Sequence, residues 1–78
     1  MVTASDPPAI PSGPIDREPL DYRPAAEKEA ILRATLAAAG VELGAYDARI
    51  VEWFAQFADW GTFAVIASWI GRANKETT

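Results

Sequence analysis

The chain has 78 residues with no Cys and no His, and eleven acids against seven bases give it a formal charge of −4. That length limits it to one domain, and the missing thiols and imidazoles exclude disulfides and Cys/His metal sites. The charge is shared evenly: residues 1–23 carry four acids and two bases, the remainder seven and five, so neither part is a basic patch that would attract nucleic acid or anionic lipid.

All six prolines lie at or before Pro24. Repeated prolines deny regular backbone hydrogen bonding and bias the residues before them to extended conformations, so residues 1–23 are predicted to be a disordered, proline-rich arm. Its few large apolar residues, Ile10, Ile15, Leu20 and Tyr22, cannot by themselves offset the entropy of ordering it. Such an arm is either a solvated tail or a short segment that docks on a partner or on the chain's own helices. Residues 1–8 lack the positive and apolar regions of a secretory signal, and a cytoplasmic location is expected.

The helical domain is predicted over 24–78. Pro24 suits a helix start, and Ala25, Ala26, Glu27, Lys28 and Glu29 follow with strong helix formers and acids near the positive dipole end. The first helix, 24–39, stops at Gly40, a residue suited to the left-handed conformation just past a helix end. Ala26, Ala30, Ala34 and Ala37 line one side of it, and Leu32, Leu36 and Ala39 another. An alanine stripe admits close helix approach.

A second helix is predicted over 45–58, with Gly44 as cap and Asp47 meeting the free N–H groups of its first turn. Tyr46, Ile50, Trp53, Phe54 and Phe57 share a face, widened by Val51, Ala55 and Ala58. That sector is broader than the stripe of roughly 100° that a surface helix needs. Asp59 then reads as the N-cap of a third helix over 60–73, with Thr62 three residues on. That helix sets Trp60, Phe63, Ile66, Ala67 and Ile70 on one face and Val65 with Trp69 on a flank, and Arg72 and Lys75 suit its negative end. No strand period competes, so the expected fold is all-α, a small three-helix bundle with a long N-terminal arm.

Three function classes are disfavoured. Residues 53–71 hold one charged residue, Asp59, but a carboxylate at mid-span costs several kcal/mol in a bilayer, so no membrane role is expected. Catalysis would need a constellation, and Glu27, Glu29, Glu52 and Asp59 read as solvated acids, so neither an enzyme nor a cofactor is expected. The tightly joined second and third helices resemble a helix-turn-helix over residues 54–60. Asp59 replaces the usual turn glycine, however, and Gly61, Thr62, Phe63, Ile66 and Ala67 would have to read the bases. A small DNA-binding regulator is therefore the alternative reading.

The leading reading concerns the aromatics Trp53, Phe54, Phe57, Trp60, Phe63 and Trp69. At helical spacing most of them belong to a core, yet a bundle this small has few interior positions and the first helix offers mainly alanine. Leaving a large apolar side chain in water forfeits about 1.5–3 kcal/mol, which burial against another chain recovers. The expected function is that of a non-catalytic protein-interaction module, accessory, regulatory or part of an assembly, acting through self-association into a homo-oligomer or through a protein partner. Its expected contacts are Val65, Trp69 and Trp53, with Ala30, Ala34 and Ala37 as a second surface. The runs 41–53 and 65–70 resemble a recurrent type of short uncharacterised helical protein from high-GC bacteria and their mobile elements. That resemblance implies a bacterial or phage source and transfers no functional residue.

Overall fold

The computed structural model describes residues 10–76, and three helices make up its regular structure: α1 (Ala25–Ala38), α2 (Ala45–Phe57) and α3 (Trp60–Glu76). No strand occurs among the described residues, so the chain is all-α. Each end has a local cause. Pro24 stands just outside α1 as its extended N-cap, and its carbonyl accepts from the N–H groups of Glu27 and Lys28 at 3.0 Å. At the other end Gly40 adopts φ 81, with its N–H donating to the Ala37 carbonyl and the Val41 N–H to the Leu36 carbonyl, both at 3.0 Å. This pair of bonds is the Schellman closure, and the positive φ is the reason a glycine stands there.

Asp47 Oδ2 accepts from the Gly44 N–H at 2.9 Å, tying the start of α2 to its own first turn. Only Ala58 and Asp59 separate α2 from α3. The Asp59 carboxylate takes hydrogen bonds from the Thr62 hydroxyl and backbone N–H, and the Asp59 carbonyl accepts from the Phe63 N–H at 3.0 Å. These bonds hold the Asp59 carboxyl below its ordinary value, the Thr62 hydroxyl bond contributing most. α3 runs three residues past the predicted end, because Asn74, Lys75 and Glu76 include no helix breaker.

α1 packs against both other helices. The core comprises Leu32, Val51, Trp60, Phe63, Ala64 and Ala67, with Ile31, Leu36, Leu43, Phe54, Ala58 and Ile70 packed around it. Phe54 of α2 stacks on Phe63 of α3 at 5.7 Å between ring centroids, and Trp60 lies 5.6 Å from the same ring. Lys28 is also buried, and its Nζ donates to the carbonyl of Ala58 at 2.7 Å. α2 has no basic residue in its own last turn, so α1 supplies the cation that meets the negative end of α2.

Residues 1–9 of the expected arm lie outside the described residues. Residues 10–23 carry no helix or strand, but they lie along α3. Ile10 packs against the core, and the Pro11 carbonyl accepts from the buried hydroxyl of Ser68 at 2.7 Å. A Cβ on Gly61 would stand 3.1 Å from Glu18 Cγ, so the strap sits close over that turn of α3. At its end Arg23 lies over the Trp60 ring, 5.5 Å from the centroid, while pairing with Asp21 and Glu27. Of the two roles open to the arm, its described part takes the docked one, on the chain's own helices.

Candidate interaction surface

The rotation of α2 decides what this protein presents to its surroundings. Its buried residues are Val51 and Ala55, both small, which lets its backbone lie close to the bundle. Tyr46, Ile50, Trp53 and Phe57 consequently face away from the core, at 72%, 45%, 56% and 68% exposure. The expectation that most of the aromatic set would be core is corrected here. Trp60 and Phe63 are buried and Phe54 is half-buried, whereas Trp53, Phe57 and Trp69 are exposed. The apolar sector of α2 is wider than the interior of three short helices can accept, and the excess stands outside. Trp53 and Phe57 touch each other there, with ring centroids 5.7 Å apart.

α3 repeats the pattern on its flank. Trp69 is 58% exposed and Val65 half-buried. Both line a cleft of about 460 Å³ between α3 and the strap, whose other walls include Ile15, Pro19 and Ile66. Ile66 is shared with a second, wholly apolar groove where Ile50, Phe54 and Ile70 meet above Leu32 and Leu36. Ile50 in turn borders the recess formed with Tyr46, Arg49 and Trp53. Ile66 thus borders both the strap cleft and the apolar groove, and Ile50 both the groove and the recess beside Trp53.

Ala30, Ala34 and Ala37 are exposed as well, but on the side of α1 roughly opposite Leu32. The structure does not bring them to the aromatic surface. Of the residues that a DNA-reading helix would use, Gly61, Phe63 and Ala67 are buried, Ile66 is half-buried and Thr62 is exposed. Sequence reasoning did not single out Tyr46, Ile50 and Phe57 as surface residues, because helical spacing places them with Trp53 on one apolar face without showing whether that face turns inward.

Asp16, Glu18 and Asp59 stand with Arg17 at the polar rim of the strap cleft. Asp59 and Asp21 are both held below the usual carboxylate range by hydrogen bonds, the Tyr22 N–H being the largest influence on Asp21. Such shifts keep a carboxylate ionised, the opposite of what a general acid near neutral pH requires. Among the described residues no group of three acids is placed to hold a metal ion, and no helix is long and apolar enough to cross a membrane. No family model, curated protein or solved structure matches this chain.

Proposed function

We propose that the chain is a non-catalytic protein-interaction module that works by covering the apolar surface of α2 and α3 with another polypeptide. The observation that carries this reading is the row Tyr46, Ile50, Trp53 and Phe57, four large side chains exposed on one face of one helix. By area the exposed parts of these four amount to roughly 500 Å², as large as the largest apolar patch that a soluble monomer normally shows. Trp and Tyr are the side chains that most often dominate binding energy when they are buried in an interface. The groove through Phe54, Ile66 and Ile70 adds a recess into which a partner's side chains can insert.

The test is retention of proteins by the tagged full-length chain in its own cell, compared with the Trp53→Ala/Trp69→Ala variant. The reading expects a protein held in near-stoichiometric amount by the wild type, an untagged copy of the chain included, and lost with the variant while helicity is unchanged. An identical set of retained proteins would overturn it.

A further inference from the structure

Resting on the interaction reading above, we propose that the cleft between the strap and α3 receives a segment of the partner polypeptide that carries an arginine three or four residues from a large apolar side chain. At about 460 Å³ the cleft has the size of a ligand site. Its two ends differ in chemistry. At one end Glu18 of the strap and Asp59 of the α2–α3 connection lean over the same glycine from separate elements: a Cβ on Gly61 would stand 3.2 Å from Glu18 Oε2 and 3.4 Å from Asp59 Oδ2. Further along α3, Val65, Ile66 and Trp69 wall the same cleft with apolar surface, and the Trp69 side chain is exposed.

Charge complementarity selects the guest. Among the described residues neither Glu18 nor Asp59, nor Asp16 on the same rim, is in an ion pair. Arg17 offsets one of these three charges, and the buried Lys28 is the weakest of the influences on Asp59, so the rim keeps a negative surplus. A guanidinium suits two carboxylates held on separate elements, because its planar fork presents five N–H donors and can meet both. A hard metal ion would ask for more oxygen ligands than the described residues group together. The spacing follows from geometry. Gly61 and Trp69 are separated by about 12 Å of helix at roughly 1.5 Å per residue, and an extended guest rises about 3.3 Å per residue, so the side chain that meets Trp69 belongs three or four positions from the arginine. An extended guest also has partners for its main chain. No backbone group of residues 15–19 is bonded to another backbone group among the described residues, which leaves that stretch of strap open to pairing.

Selection of random phage-displayed peptides on the immobilised full-length chain tests the proposal. Enriched sequences should carry an arginine with Trp, Phe or Leu three or four residues away. The best of them, synthesised with a fluorophore and followed by anisotropy, should bind about tenfold more weakly to Glu18→Gln and to Trp69→Ala, and equally well to Glu42→Gln, whose carboxylate lies in the loop before α2 and outside the cleft. Gly61→Ala should weaken it too, by pushing Glu18 aside without removing a charge. Because the guest grips the strap and the α2–α3 connection together, it should also slow proteolysis within residues 10–23. No enrichment, enriched peptides without a basic residue, binding blind to Glu18→Gln, or an unprotected strap would each overturn the assignment. Glu18 and Trp69 are exposed, so unchanged circular dichroism separates lost binding from lost folding. A protein that the tagged chain retains in its cell, lost with Trp53→Ala/Trp69→Ala but kept by Glu18→Gln, sinks the cleft assignment and leaves the interaction reading standing; retention identical in all three chains sinks both.

Discussion

Ser68, in the middle of α3, donates its hydroxyl hydrogen to the carbonyl oxygen of Pro11 at 2.7 Å, while the same oxygen accepts from Arg72 Nε at 3.1 Å. A hydroxyl is the one neutral side-chain group that can do both at a single atom, and here it is buried with both capacities used. Ser68→Ala should therefore cost about 1–2 kcal/mol and leave the Pro11 carbonyl without its donor. Limited proteolysis within residues 10–23 should quicken in the same variant. Removal of residues 1–23 should lower the melting temperature further, since Ile10 and the cover over Ser68 and Trp60 go with them. An unchanged melting curve would show that the strap contributes nothing.

Arg23 is held over the Trp60 ring by Asp21 and Glu27. Exposed ion pairs and a cation over an aromatic ring near the surface are both weak contributors, so Arg23→Ala should lower the melting temperature only slightly. Trp60 fluorescence reports the change, because it should become more accessible to acrylamide in an Arg23→Ala chain whose other tryptophans are replaced by Phe.

Lys28→Met keeps the apolar stem of the side chain and removes its ammonium donor. The Ala58 carbonyl then loses a charged partner, for an expected cost of about 1.5–3 kcal/mol. In a chain this size that should lower the melting temperature by roughly 6–24 °C. Lys28→Arg should not rescue fully, because a planar guanidinium does not fit a site built for one ammonium on one carbonyl. Thermal denaturation of the three chains decides the matter.

Acid should destabilise the fold through Asp59 and Asp21. Both carboxyls sit below their ordinary value of 3.8 in the folded chain, so their contribution is fully present above 3.8 and is lost as pH falls through the lower folded values. Melting temperature should hold between pH 7 and 5 as far as these two groups are concerned and decline below about pH 4. Asp59→Asn retains an acceptor at the start of α3 and should flatten part of that decline.

Helix positions were legible because their punctuation is local. Gly40, Gly44 and Asp59 each mark a boundary that the backbone obeys within a residue. The rotation of α2 was not legible, because a helical wheel shows a wide apolar sector but not which part of it faces inward. That choice fell to Val51 and Ala55, whose small size permits closer approach, and it sent Trp53 and Phe57 outward. The burial of Lys28 gave no signal either, since its partner is a backbone carbonyl thirty residues away. Docking of the strap was hidden for a similar reason. Part of what receives it, the close approach at Gly61 and the hydroxyl of Ser68, belongs to α3 rather than to the arm.

The bond from Ser68 to Pro11 also sets an order of events. It joins positions 57 residues apart, so the strap is synthesised well before the helix that receives it. Until α3 emerges, residues 10–23 have no docking site, and the first two helices have neither Phe63 nor Trp60 to close on. Contacts of such long separation are the slow ones to form. These three helices therefore close into their fold only once α3 has been made and meets the segment that precedes α1.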